Sequence, residues 1–148
     1  MPSIRVNFNP QRFRRGDLVE VASSQEGFVG SYFGATVVAD LGKGSYLVQY
    51  RTLLKDDFSG PLREVLSAAE VRPRPPPDPA ERYLMNDVVD VFDNEGWWWG
   101  RITGRSGDCY AVFFETTGDE ILYHKNLLRP HQEWSNGRWS LAMLIPIG

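Results

Sequence analysis

The segment Gly16-Asp17-Leu18-Val19-Glu20-Val21 recurs 70 positions later as Asn86-Asp87-Val88-Val89-Asp90-Val91. Further segments recur in the same order: residues 32–38 with 97–102, residues 45–50 with 109–114, and residues 71–73 with 128–130. The offset falls to 64 at Tyr46 and Tyr110 and to 57 at Arg72 and Arg129. The second copy is therefore shorter between its segments, and the chain contains an internal duplication.

The recurring segments have the composition of half-buried strands. They are rich in Val, Tyr, Phe, Trp and Thr, they alternate apolar with polar residues, and Gly, Asp, Asn or Ser bounds them. Helix is expected only as short turns within residues 62–69 and 123–127. A copy of about 50 to 60 residues with four or five short strands closes best as a small barrel, which leaves few exposed sheet edges. We therefore predict an all-β fold of two tandem small barrels with very little helix.

A proline-rich run over residues 73–79 separates the copies. Such a run lacks most amide donors and favours polyproline II, so it cannot form a central strand. We predict four parts: a first barrel at 11–75, a linker at 76–80, a second barrel at 81–131, and a C-terminal extension at 132–148 that packs on the second barrel. Because each core is small, we expect the barrels to pack together.

Composition and charge limit the partners. The 148 residues carry a formal charge of −3 and are 42% hydrophobic, which is ordinary for a soluble globular protein. Residues 1–75 carry a net +2 and residues 76–148 a net −5. The acidic half repels nucleic acid and suits a basic peptide. With no apolar run long enough to span a membrane, we expect a soluble intracellular chain or a soluble piece of one.

No pattern typical of catalysis or of a cofactor is present. Cys109, His124 and His131 do not make a zinc site. The glycines near Lys43 lack the spacing of a phosphate loop and are typical of a hairpin turn. We predict a protein that is not an enzyme, with no metal and no cofactor.

Aromatic residues cluster beside the turns. Side chains alternate along a strand, so Trp97 and Trp99 point to one side and Trp98 to the other, and at least one ring is exposed or lines a groove. Several rings beside a carboxylate can hold a methylated ammonium by cation–π attraction. The alternative is that these rings fill the barrel cores or the interface between the barrels.

These segments resemble the tandem Agenet module of plants, a Tudor-like arrangement of small barrels, across residues 13–140. The matching pieces are residues 16–21, 26–37, 46–50, 61–64 and 71–75 in the first copy and 87–92, 96–100 and 128–131 in the second. The resemblance implies a nuclear chromatin reader that binds a methylated histone tail. The tail it implies above others is histone H-three dimethylated at tail lysine nine, a mark of silent heterochromatin.

The resemblance also implies site residues. In the first copy the resemblance implies a methyl-lysine cage of Tyr32, Phe33 and Tyr50. Phe28 is a further wall, and one carboxylate completes the cage. Of the nearby acids Glu26, Asp56 and Asp57, we predict that Asp57 supplies it. The second copy has Trp97, Trp98 and Phe114 at the corresponding places, which makes a second cage possible. The acidic side chains of the second copy are expected to receive the basic tail: Asp93, Glu95, Glu115, Asp119 and Glu120.

Two other functions are compatible with the sequence. The same ring box accepts a flat guanidinium, so the chain could be an adaptor that binds methyl-arginine or RNA. It could also be a purely structural pair of barrels within a longer protein. We expect no membrane association and no direct binding of nucleic acid.

Overall fold

The computed structural model describes residues 12–22, 30–78 and 82–141. Within these ranges the regular secondary structure is almost entirely strand, and the only helical elements are two 3₁₀ turns, Ala68–Glu70 and Lys125–Leu127. The predicted all-β fold is confirmed. The strands are β1 Leu18–Ala22, β2 Ser31–Gly42, β3 Ser45–Leu54, β4 Pro61–Ser67, β5 Val71–Pro73, β6 Val88–Asp93, β7 Gly96–Ser106, β8 Cys109–Phe113, β9 Glu120–His124, β10 Leu128–Pro130, β11 Gln132–Ser135 and β12 Arg138–Leu141.

The two copies have the same strand pairing. In the first, β1 pairs with β2 and β5, and β2, β3 and β4 pair in sequence. In the second, β6 pairs with β7 and β10, and β7, β8 and β9 pair in sequence. Between β5 and β6, residues 74–78 have no regular structure. The duplication in the sequence is therefore a duplication of architecture, while the exact domain limits stay predictions.

A short helical turn is present near the end of each copy, as expected, but each turn is only three residues long and begins later than the predicted segment. Residues 62–67 belong to β4, and only the end of the expected segment enters the 3₁₀ turn Ala68–Glu70. Tyr123 and His124 likewise end β9 before the turn Lys125–Leu127. In both copies the outer edge of the third strand needs a partner, and this tertiary pairing overrides the weak local preference.

Each barrel has its own hydrophobic core. The first is centred on Val37, Tyr46 and Val48, and the second on Tyr110 and Val112, all at most 4% exposed. Trp98 packs against both clusters. The barrels are joined further by antiparallel pairing of β2 with β7, so ten strands form one continuous sheet. The expectation that the barrels pack together is confirmed.

A buried ionic network lies at this junction. The Glu20 carboxylate, in a residue only 3% exposed, accepts hydrogen bonds from Arg72 at 2.8 Å and from Arg129 at 2.7 Å. The Arg129 Nε donates to Asp90 at 2.9 Å. Glu20 lies opposite Arg72 in the first copy, and Asp90 lies opposite Arg129 in the second. The duplication thus supplies the same acid–arginine pair twice, and the two pairs meet between the barrels.

Both arginines also cover aromatic faces. The Arg72 Cζ lies 3.5 Å from the ring centroid of Tyr32, and the Arg129 Cζ lies 4.1 Å from a ring centroid of Trp97. These separations are short enough for cation–π attraction. Arg72 additionally donates to the Gln132 carbonyl at 2.7 Å, which ties the β11–β12 hairpin to the junction.

His131 completes the network and gives it a pH dependence. Its Nδ1 lies 2.6 Å from Asp90 Oδ1 and its Nε2 lies 2.6 Å from Glu133 Oε1, so both nitrogens act as donors only in the imidazolium form. Burial disfavours that charge, but the hydrogen bonds and charges of Asp90 and Glu133 outweigh burial and raise the pKa of His131 above 6.5. The imidazolium therefore persists to a higher pH than it would in a free histidine.

We predict that this histidine makes the protein more stable in mild acid. Because the pKa is higher in the folded state, the stabilisation is complete below pH 6.5 and is lost as the pH rises through the folded value. Urea unfolding at pH 6 and pH 8.5 should show the higher free energy of unfolding at pH 6. The difference should shrink in His131→Gln and persist in His124→Gln, which removes an exposed histidine. Equal pH dependence in both variants would contradict the assignment.

Candidate ligand-binding site

A cavity of about 410 Å³ opens in the second barrel. Three aromatic rings line it, Trp98 from β7, Phe114 just after β8 and Tyr123 from β9. Its other walls are Asp93, Asn94, Thr116, Thr117, Asp119 and Ile121. We call it the second-barrel cavity.

Asp93, the last residue of β6, holds two of the three rings in place. Its backbone carbonyl accepts a hydrogen bond from the Trp98 Nε1 at 2.7 Å, and its carboxylate accepts one from the Tyr123 hydroxyl at 2.8 Å. Phe114 meets Tyr123 edge to face, with ring centroids 6.1 Å apart. The walls of the cavity are therefore fixed by polar and aromatic contacts before any ligand binds.

The loop after β8 brings Asp119 to the same cavity. The backbone N–H of Phe114 donates to the Asp119 carbonyl at 2.9 Å, and the N–H of Gly118 donates to the Phe114 carbonyl at 2.8 Å. This closed loop places the exposed Asp119 beside the Phe114 ring.

The charge of the cavity is negative. Burial and the hydrogen bond to Asp93 raise the pKa of Tyr123, so its phenol stays neutral and the charge comes from Asp93 and Asp119. Rings and carboxylates together favour a cation that also carries apolar surface, such as a methylated ammonium or guanidinium.

The structure brings two of the three residues predicted for the second cage to one cavity. Trp98 and Phe114 both line the second-barrel cavity. Trp97 lies on the opposite face of β7, with its ring centroid 5.2 Å from that of Phe92 and its indole under Arg129. The physical reason is the alternation of side chains along a strand. The third ring of the cavity is that of Tyr123. The sequence does not indicate this residue, because residues 123–127 have the local pattern of a turn.

The residues predicted for the first cage do not form one group. Phe33 and Tyr50 lie in the first core, 6% and 5% exposed, and the Tyr50 hydroxyl donates to Glu64 at 2.5 Å. Tyr32 points to the other face of β2 and lies under Arg72, so the structure does not bring it together with Phe33. Burial raises the pKa of Tyr32 to about 12, although the Arg72 charge lowers it.

The remaining residues of that prediction lie apart from the core. Asp57 is exposed in the β3–β4 loop, where its carboxylate accepts from the Ser59 N–H at 2.9 Å. Phe28 lies outside the described residues. A binding role for Phe33, Tyr50 and Asp57 stays a prediction.

The predicted acidic surface divides into three places. Asp93 and Asp119 line the second-barrel cavity, and the exposed Glu120 follows them on β9. Glu115 pairs with Arg101 at 3.3 Å on the surface. Glu95 lies across the β6–β7 turn, in a separate cleft between the barrels. Only part of the predicted surface therefore surrounds the cavity.

The described residues contain neither a candidate metal site nor a helix that could span a membrane. No group of three or more His, Cys, Asp or Glu side chains within residues 12–22, 30–78 and 82–141 could hold a metal ion. In the same ranges, none of the helical turns approaches the length and apolarity that crossing a membrane requires.

Comparison with known proteins agrees with this architecture. The Agenet domain family matches residues 16–76. The Arabidopsis thaliana protein AGENET DOMAIN (AGD)-CONTAINING P1 is 35% identical over 134 residues, which cover 90% of this chain and 26% of that protein. DUF724 domain-containing protein 6, also from Arabidopsis thaliana, is 33% identical over 87% of this chain and 19% of its own length. The chain thus spans about a quarter of the first relative and about a fifth of the second.

Two solved structures share the fold over nearly their whole length. The crystal structure of Arabidopsis thaliana AGDP1 AGD34 superposes with a TM-score of 0.86 at 34% identity, covering 90% of this chain and 92% of that one. The crystal structure of ADCP1 tandem Agenet domain 3-4 gives 0.81 at 30% identity, covering 90% and 91%. The duplicated barrels and their continuous sheet define a tandem Tudor-like module. The chain belongs to the Agenet domain family.

Proposed function

We propose that this chain is a chromatin reader, a binding module rather than an enzyme, that holds a methylated side chain of a histone tail in the second-barrel cavity. The observation that carries the proposal is the convergence of Trp98, Phe114 and Tyr123 with Asp93 and Asp119 on one open cavity. A methylated ammonium keeps its positive charge while its methyl groups contact the rings.

The geometry favours the second barrel over the first. Burial alone does not separate the barrels, because Phe114 and Tyr123, at 9% and 8% exposed, are nearly as buried as Phe33 and Tyr50. In the first barrel, however, the Arg72 guanidinium already occupies a face of Tyr32. In the second, the equivalents of Phe33 and Tyr50 in the strand pairing are Trp98 and Phe114, which line the cavity. We therefore place the methylated side chain there, whereas the family resemblance alone suggests the first copy.

The flanking charges suit a basic peptide. Asp119 and Glu120 are exposed next to the cavity, and the half of the chain that carries them has a net charge of −5. The negative charge attracts the lysines and arginines of a histone tail. It contributes more to the position in which the tail binds than to the affinity of the tail for the protein. The resemblance to Agenet modules directs the proposal to histone H-three dimethylated at tail lysine nine, and thus to a nuclear protein.

Calorimetric titration with H-three tail peptides, unmodified and dimethylated at lysine nine, tests this proposal. The dimethylated peptide should bind more tightly. Asp119→Asn should weaken its binding by about twofold to fivefold, because an exposed charge pair contributes modestly. Trp98→Phe keeps an aromatic ring packed against the two cores. It should weaken the binding of the dimethylated peptide by about threefold to tenfold, because phenylalanine gives weaker cation–π attraction than tryptophan.

Asp57→Asn is the matched control, since it also neutralises an exposed loop carboxylate, in the first barrel. It should leave the affinity unchanged. Equal affinity for the two peptides would contradict the reader function. Loss of binding in Asp57→Asn together with full binding in Asp119→Asn would contradict the assignment to the second barrel. Tighter binding of a dimethyl-arginine peptide would contradict the assignment of methyl-lysine.

A further inference from the structure

A second cleft, of about 330 Å³, lies between the barrels on the other side of the β6–β7 turn. Its walls include three arginines from separate elements, Arg51 on β3, Arg74 just after β5 and Arg129 on β10. Trp97 and Phe92, whose rings pack edge to face at 5.2 Å, form an aromatic wall. We call it the arginine cleft.

The three arginines differ in how far their charges are neutralised. Arg129 is engaged by Glu20 and Asp90. Arg51 and Arg74 are exposed, and neither forms an ion pair with a carboxylate among the described residues. Two exposed guanidinium groups that form no ion pair with any described carboxylate therefore line one cleft.

The fold places these two side chains there. A Cβ added at Gly34 would lie 3.5 Å from Cδ of Arg51, so the Arg51 side chain lies across β2 at the position where no side chain intervenes. Arg74 follows β5, and its N–H reaches the Leu18 carbonyl at 3.4 Å. Both residues are thus carried by the strands that form the walls of the cleft.

The two carboxylates of the arginine cleft, those of Glu20 and Glu95, do not fully neutralise the charges of Arg51 and Arg74. Both oxygens of Glu20 accept hydrogen bonds from Arg72 or Arg129, so Glu20 is committed to the buried network. Glu95, at the β6–β7 turn, is the other acid of the cleft. Its backbone carbonyl accepts from the Thr52 hydroxyl, which fixes the turn to β3.

We propose that the arginine cleft binds a phosphorylated side chain of an otherwise basic peptide. Planar guanidinium groups match the oxygens of a phosphate with paired hydrogen bonds, and the aromatic wall shields these bonds from water. A nucleic acid presents phosphates throughout, and the chain, at a net charge of −3, would repel it. A basic peptide with one phosphate instead complements both the two arginines and the acids around them.

Fluorescence anisotropy with a labelled lysine-rich peptide, with and without one phosphoserine, tests the site on the intact chain. The peptide carries no methyl-lysine, and both forms carry the same lysines, so the difference in affinity between them does not depend on the second-barrel cavity. The phosphorylated form should bind more tightly. Arg51→Gln and Arg74→Gln should each weaken its binding by about threefold to tenfold. Glu95→Gln should strengthen it by about twofold, since it removes the repulsive charge.

Arg105→Gln is the matched control, because it removes an exposed arginine of β7 outside the cleft. It should leave the affinity unchanged, and circular dichroism should show that all four variants are folded. Equal binding of both peptides, or equal losses in Arg105→Gln and Arg51→Gln, would overturn the site. Tighter binding of a single-stranded oligonucleotide than of the phosphopeptide would overturn the choice of a peptide ligand.

Discussion

Replacement of Glu20 by glutamine should lower the free energy of unfolding by about 3–5 kcal/mol, because it leaves the buried Arg72 without a carboxylate partner and leaves Arg129 with Asp90 alone. The Glu20 side chain is 4% exposed and those of Arg72 and Arg129 are 7% and 17% exposed, so water cannot replace the lost carboxylate. Glutamine has nearly the same shape as glutamate, but its amide NH₂ group would face the N–H donors of the two arginines instead of an acceptor. The loss should appear in the midpoint of urea unfolding followed by tryptophan fluorescence.

Glu115→Gln provides the comparison for this variant. Glu115 also pairs with an arginine, Arg101, but its side chain is 50% exposed and the shortest N–O distance is 3.3 Å. An exposed pair of this kind contributes less than about 1 kcal/mol. If Glu20→Gln cost no more than Glu115→Gln, the junction network would not be a source of stability.

Gly100→Ala is expected to be the second severe substitution, with a loss of about 1–3 kcal/mol from overpacking. Gly100 lies in β7, and an added Cβ would come within 2.4 Å of Cγ1 of Val112 and 3.2 Å of Cε1 of Phe114. Val112 is fully buried and stiff at χ1, so it cannot move aside cheaply. Because Phe114 lines the second-barrel cavity, the same substitution should weaken the binding of a methylated peptide.

Gly104→Ala is a control on the same strand. Its added Cβ would lie 3.7 Å from Cβ of Ala111, an ordinary contact. The alanine should be neutral or slightly stabilising, since it reduces the entropy of the unfolded chain. Thermal unfolding of the two variants separates crowding at Gly100 from a general intolerance of β7 to side chains. Equal losses in the two would contradict the crowding argument.

The sequence by itself determined the duplication, the strand composition and the small-barrel architecture. These features are local: alternation has a period of two residues, turns need particular residue types, and a repeat is visible without any contact between its copies. The same local pattern indicated that Trp97 and Trp98 face opposite ways. It also drew attention to Trp98 and Phe114, because the repeat aligns them with Phe33 and Tyr50.

The alternation of apolar and polar residues shows which side chains share a face of a strand. It does not show what each face packs against, which only the tertiary structure decided. Tyr32 and Trp97 each lie under an arginine of their own copy, Arg72 and Arg129, which is 40 and 32 positions further along the chain, and nothing local encodes these contacts. Tyr123 joined the cavity because β9 must cover the edge of β8. The charges of Glu20 and Arg129 are 109 positions apart and meet only when the barrels dock. The local periods of the sequence thus specified each barrel, while the docking of the barrels decided which rings and charges remain open to a ligand.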